Sequence, residues 1–286
     1  MTRLILNADD FGLTPGVNQS ILDLRRQRAL TSATLMANAG HTNEAITGAA
    51  TFGAGVGCHV VLVDGQPALP ARRIPALAPN GAFRPTLGAF VLDLIRGHIP
   101  QAEIEAEAVA QIQRLQHCGV HPTHVDTHKH THMFARVLRP LICAAMQCGV
   151  SAIRNPFEPA WALRATPHAS LLRRLQVRGL GTQRRTFLRL VREAGLATTD
   201  GAIGVTATGT LTLQTIQSLL ASMPAGTWEL VCHPGYLDSN LNNVRTRLKE
   251  SRAVELAALL KFVPEFLSSH PDVTPIHFGQ IAGGSK

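Results

Sequence analysis

The sequence predicts an α/β fold in which a parallel sheet wraps into a distorted, TIM-like (β/α) barrel of about seven to eight strands. Three observations carry that expectation. Short apolar runs alternate with amphipathic helical patterns almost from end to end, the order that gives parallel strands joined by crossover helices. The 286 residues suit one such barrel, and no linker divides 1–286 into independent domains. Polar side chains of catalytic type fall at the C-terminal ends of several different runs, the face on which such a barrel builds its active site.

Taken in order, strands are expected at residues 3–6, 33–37, 55–61, 123–126, 151–154, 202–205, 229–232 and 275–278. Thr14 followed by Pro15 is a helix cap with proline at the first helical position, opening a helix toward Arg28. Ile104, Ala108, Ile112 and Leu115 recur at helical spacing after Pro100, and Val137, Leu138, Leu141, Ile142 and Ala145 do so after a histidine run. The proline-rich stretch 64–85 has few periodic apolar positions and reads as a long loop over one face. Residues 171–180 and 186–194 form two short amphipathic segments.

Composition narrows the class. Hydrophobic residues make up 45% and charged residues 16%, so the chain can bury a sizeable core. The net charge of +8 is local, because residues 164–192 hold eight arginines and no acid. A uniformly basic coat for nucleic acid is therefore not expected. The five cysteines (Cys58, Cys118, Cys143, Cys148 and Cys232) form no C-x-x-C pair and no disulfide framework, which suits a reducing, cytoplasmic compartment. Leu4-Ile5-Leu6 is too short for a signal-peptide core, and no apolar stretch of about eighteen residues would span a membrane.

The strongest chemical signal is His124-Val-Asp126-Thr-His128-Lys-His130-Thr-His132. On an extended segment, side chains two apart project to one face, so these five polar groups would form a single metal-ligating array. Asn7-Ala-Asp9-Asp10-Phe-Gly12 follows the first run. Its adjacent carboxylates are costly to bury without a cation, and they point in different directions, so one can bind a metal while the other faces a water. His59 and His233 each end a run directly after a cysteine, which leaves Cys58 and Cys232 as packing residues on the opposite face. Arg154 closes a further run, as a site residue or as the partner of a neighbouring acid. Together these positions point to metal-assisted hydrolysis.

Asn7-Ala-Asp-Asp-Phe-Gly12, Gly57-Cys-His59, the run from His124 to His132 and Cys232-His-Pro-Gly235 resemble, in order, the motifs of the YdjC-like carbohydrate deacetylases, which include chitooligosaccharide deacetylase. The resemblance implies a distorted barrel that removes acetyl groups from N-acetylated sugars with one divalent metal ion, zinc or magnesium. It implies that Asp10, His59 and His128 hold the metal, that Asp9 is the general base and that a protonated His233 is the general acid. Asp126, Arg154 and His130 are implied as orienting or substrate-facing groups. Lys129 stands where some members carry a histidine, which leaves no extra ligand at that position. The stretches 60–70, 72–75 and 154–159 resemble the branch associated with hopanoid biosynthesis, implying an N-acetylglucosaminyl group on a hopanoid lipid.

The arginine-rich segment admits two readings. Leu171, Leu172 and Leu175 beside Arg173, Arg174 and Arg178 make a basic amphipathic helix of the type that rests on the inner membrane surface, or a solvated barrel helix. Two other functions compete with deacetylation. One is a metal phosphoesterase with Asp126 and His130 at a second metal; the other is a polyanion-binding module on residues 164–192, although Phe187 is the one aromatic there.

Overall fold

The structure is a computed structural model that describes residues 1–167 and 170–282. Among the described residues there are eight strands: β1 (Thr2–Phe11), β2 (Ser32–Leu35), β3 (Val56–Val60), β4 (His124–Thr127), β5 (Ala152–Ile153), β6 (Gly201–Ile203), β7 (Gly226–Cys232) and β8 (Val273–Pro275). The helices are α1 (Pro15–Arg26), α2 (Thr42–Ala49), α3 (Leu87–Ile95), α4 (Gln101–His117), α5 (Ala135–Gln147), α6 (Ala160–Ala165), α7 (Leu171–Gly181), α8 (Arg184–Glu193), α9 (Leu213–Ala221), α10 (Ser239–Asn243), α11 (Glu250–Ser269) and α12 (Gly279–Ala282).

All strand pairs are parallel, in the order β5-β4-β3-β2-β1-β7-β6, with β8 added against the first residues of β1. Between β5 and β6 the wall is held by the bridge of Ala152 with Ala197, through Ile153 N to Ala197 O and Ala197 N to Ser151 O at 2.9 Å each, and by Thr198 Oγ1 donating to Ile153 O at 2.7 Å and Asn155 Nδ2 to Thr199 O at 3.0 Å. This is the distorted barrel that the sequence predicts.

Alternation along the strands divides the two faces. Leu4, Leu6, Ala8, Cys58, Val60, Val125, Ile153, Leu230 and Cys232 join the main apolar cluster with helix residues such as Ile21, Ile112 and Leu141. Each such buried Leu or Ile stabilises the fold by about 1.5–3 kcal/mol. Cys58 and Cys232 are thus packing residues, as expected. The opposite parity (Asn7, Asp9, His59, His124, Asp126, Glu229) lies inside the barrel and is buried polar. Ile5, Ala152, Ile276 and Phe278 plug the interior beneath this polar layer.

Two local expectations need correction. The last strand is Val273–Pro275 rather than 275–278, because Phe278 turns under the barrel to stack on His124 with ring centroids 3.7 Å apart. The histidine run is not one extended array: β4 stops at Thr127, and residues His128–Met133 form a 3-10 turn with Lys129 and His130 at φ 59 and 51. Two arginines of the 164–192 stretch engage the fold itself. Arg173 turns into a cavity, and Arg174 donates to Leu163 O and Thr166 O at 2.7 and 2.8 Å. The side chains of Leu171 and Leu172 lie outside the described residues.

Candidate active site

The β1 strand ends in a distortion that brings both of its carboxylates into one place. A regular strand would send Asp9 inward and Asp10 outward into the helix layer. Instead, the pairing with β2 shifts register between Ala8 and Phe11, and Asp10 takes φ 66, a conformation costing a non-glycine residue on the order of 1–3 kcal/mol. The turn is held by Leu13 N donating to Asp10 O at 3.0 Å and Gly12 N donating to Asn18 Oδ1 at 2.7 Å. Gly12 itself has φ 104 and packs against Met36 O, so a side chain there would be strained.

Asp10, His59 and His128 then converge, with one ligand atom from each lying within 4.8 Å of the others. Asp10 Oδ1 is buried without a hydrogen-bond partner; His128 Nδ1 lies 3.2 Å away and His59 Nε2 3.7 Å away. Asp10 Oδ2 accepts from Arg252 Nη2 at 2.5 Å. Across the group, His59 Nδ1 pairs with Asp126 Oδ1 at 2.8 Å, which presents Nε2 to the same point. A carboxylate behind a histidine is the usual support of a metal-ligating imidazole. One orphaned buried oxygen and two imidazole nitrogens facing one point form a donor set that fits a divalent ion of zinc type or harder.

Asp9 lies beside this group in a different environment. Its Oδ1 accepts from Asn7 Nδ2 (3.0 Å), Thr34 Oγ1 (2.9 Å) and Arg154 Nη2 (2.6 Å), and its Oδ2 accepts from Arg154 Nη1 (2.8 Å). Arg154, wholly buried, also ion-pairs with Asp126 and Glu229. A second set of possible ligands, Asp9, His59 and Asp126, is therefore already neutralised by a guanidinium rather than left for another cation. His233 completes the group, with Nε2 3.7 Å from Asp9 Oδ2 and its backbone N–H donated to Glu255 Oε1 at 2.9 Å.

Burial and charge set the protonation of these groups. Burial raises the pKa of both aspartates, but Arg154 and His59 hold Asp9, and Arg252 and His128 hold Asp10, below the ordinary carboxylate value. Burial pushes His233 down to about 4 against the pull of Asp9 and Asp10. His59 is also disfavoured as a cation by burial, yet Asp126, Asp9 and Asp10 carry it up to about 9. Glu229 and Glu255 are pushed by burial up to about 7 and about 8.

The structure thus brings together Asp9, Asp10, His59, Asp126, His128, Arg154 and His233. His130 lines the same cavity, with Nδ1 unpartnered, but joins none of these contacts. His132 pairs with Thr127 Oγ1 at 2.7 Å, and His124 lies deeper against Phe278. Sequence reasoning missed Arg252, Glu255, Glu229 and Thr34. The first two had a signal: Arg252, Glu255, Leu256, Leu259 and Val263 share a helical stripe that the structure buries.

The site opens into a cavity of about 750 Å³. Leu13, Met36, Leu87, Met133, Val177 and Val205 form much of its wall, and no Phe, Tyr or Trp side chain lines it among the described residues. Of the loop 64–85, Asp64 reaches the cavity, paired with Lys129 Nζ at 3.3 Å. The rest is pinned elsewhere, by Glu107 accepting from Ala68 N and Leu69 N and by Glu103 accepting from Ala76 N and Leu77 N.

Comparison with known proteins adds to this geometry. The family model described as YdjC-like protein matches residues 3–266. The carbohydrate deacetylase of Geobacillus stearothermophilus is 31% identical over 262 residues, covering 89% of this chain and 88% of that protein. The carbohydrate deacetylase of Mus musculus is 30% identical over 250 residues, covering 82% and 78%. The chitooligosaccharide deacetylase of Escherichia fergusonii is 36% identical over 155 residues, covering 52% and 57%. Among solved structures, an Enterococcus faecalis V583 protein superposes with a TM-score of 0.77 at 22% identity, covering 98% of both chains, which shows a shared fold.

Proposed function

The chain belongs to the YdjC-like family, and from that premise we propose that it is a divalent-metal-dependent hydrolase that removes the acetyl group from an N-acetylated amino sugar. The observation that carries this reading is the unpartnered, buried Asp10 Oδ1 facing His59 and His128, with Asp9 and His233 alongside.

Asp10, His59 and His128 would hold the ion, which when bound polarises the acetamide carbonyl and makes a nearby water more acidic. Asp9 is a carboxylate at neutral pH, fixed by Arg154, and takes a proton from the attacking water. His233 is neutral at rest, because burial holds it at about 4, so the expected resting imidazolium is replaced by one formed during turnover. Asp9 Oδ2, which gains that proton, lies 3.7 Å from His233 Nε2, and the proton passes from the one to the other. As water oxygen bonds to the acyl carbon and the C–N bond breaks, His233 gives a proton to the departing nitrogen. The products are acetate and the free amine. Asp126 orients His59, and Arg154 orients Asp9.

The finer reading, a sugar carried on a hopanoid-type lipid, is supported by the aliphatic wall, which suits an apolar aglycone better than a bare sugar. The test is acetate release by the metal-loaded protein offered N-acetylglucosamine oligomers and an N-acetylglucosaminyl lipid side by side. Release from the lipid alone supports both readings, and release from the oligomers alone keeps the deacetylase and removes the lipid. Phosphate release from a sugar phosphate without acetate release from either would replace the reading with a phosphoesterase.

A further inference from the structure

The catalytic cavity carries a cluster of guanidinium groups that the deacetylation chemistry does not use. Arg173 comes from α7, and Arg245 and Arg247 from the segment between α10 and α11; all three line the cavity. Arg173 is half-buried and donates Nη2 to Val205 O at 2.9 Å, while Arg245 and Arg247 are exposed. Among the described residues none of the three has a carboxylate within 4.0 Å, whereas the buried Arg154 and Arg252 each do. The acid nearest in effect to Arg173, Glu158, is already taken by Gly204 N and Thr206 N at 2.8 and 2.6 Å. Burial and the like charge of Arg247 together lower the pKa of Arg173.

Cations gathered around one opening repel each other, and a shared counter-anion relieves that repulsion. Guanidinium forks match the oxygens of a phosphate group with paired hydrogen bonds. We propose that Arg173, Arg245 and Arg247 form an anion subsite that holds a phosphate-type oxyanion beside the N-acetyl group being cleaved. The phosphate belongs either to the sugar itself or to the headgroups of a lipid surface that presents it. The inference rests on this cavity being the substrate site.

Two binding arms test it on the metal-loaded protein. The first compares calorimetric affinity for N-acetylglucosamine 1-phosphate and for N-acetylglucosamine. The second compares co-sedimentation with phosphatidylglycerol and with phosphatidylcholine vesicles. The expected result is a preference of about tenfold or more for the phosphate-bearing partner in at least one arm, lost in the R245Q/R247Q double variant. A preference in the sugar arm assigns the phosphate to the substrate, and one in the vesicle arm alone assigns it to headgroups. Because both substituted residues are exposed, this variant keeps the test open should R173Q fail to fold. Equal affinities in both arms, or a preference that survives in the double variant, would overturn the subsite. Acetate release is read separately: its absence counts against deacetylation, while the binding arms still decide the arginines.

Discussion

Arg252 Nη2 lies 2.5 Å from Asp10 Oδ2, so the carboxylate at the end of β1 is neutralised on one oxygen and free on the other. Arg252 is itself fixed by donating Nε to Leu248 O at 3.1 Å. The helix α11 therefore decides which Asp10 oxygen faces His59 and His128, although it contributes no atom to that point.

Replacing Arg252 with Met would leave Asp10 buried without its partner. The expected cost is about 3–5 kcal/mol of stability, measured by urea denaturation of the metal-free protein. A loss below about 0.5 kcal/mol would show that the pair does not hold the site.

Asp126→Asn removes the charge behind His59 but leaves Arg154 paired with Asp9 and Glu229. Metal affinity measured by calorimetry should fall about 10–100-fold. Unchanged affinity would mean that His59 is not a ligand through Nε2.

Asp9→Asn should keep stoichiometric metal while turnover falls by roughly 10²–10⁴. Metal content and acetate release measured on one preparation separate the two effects. Full turnover would assign the base elsewhere, and lost metal would place Asp9 among the ligands.

Glu255 gives the pH dependence a definite sign. Burial raises it from its ordinary 4.5 to about 8, so between those values the folded chain keeps a proton that the unfolded chain has released. Its contribution is complete below about pH 4.5 and declines as pH rises toward 8. Asp9 and Asp10 act oppositely, supplying stability above their ordinary 3.8 that is lost on acidification. From pH 5 to pH 8 the wild type should lose stability relative to Glu255→Gln, read from denaturation midpoints. A constant difference would contradict the buried, protonated state.

The strands were legible because a strand covered by helices reads as an apolar run, and a polar residue closing such a run stands out. Asp9, His59, Asp126, Arg154 and His233 were found in that way. What the sequence hid was local geometry. No residue type announces the bulge that turns Asp10 inward, since φ 66 at an aspartate is imposed by its surroundings. The left-handed pair at Lys129 and His130, which breaks the histidine run, contains no glycine to mark it. Glu229 and Arg252 were hidden for another reason. Glu229 is a single charge within an otherwise ordinary strand, Arg252 is marked only by the stripe it shares with Glu255 and Leu256 on a helix of several charges, and the role of each exists only through Arg154 or Asp10.

The most direct test of the central claim is acetate release from N-acetylglucosamine oligomers and the N-acetylglucosaminyl lipid by wild type and His128→Ala, each stripped of metal and then resupplied with zinc or magnesium. The account predicts release by wild type only after resupply, and neither bound metal nor release in the variant. Undiminished release by the stripped wild type, or by a His128→Ala protein that binds no metal, would contradict it.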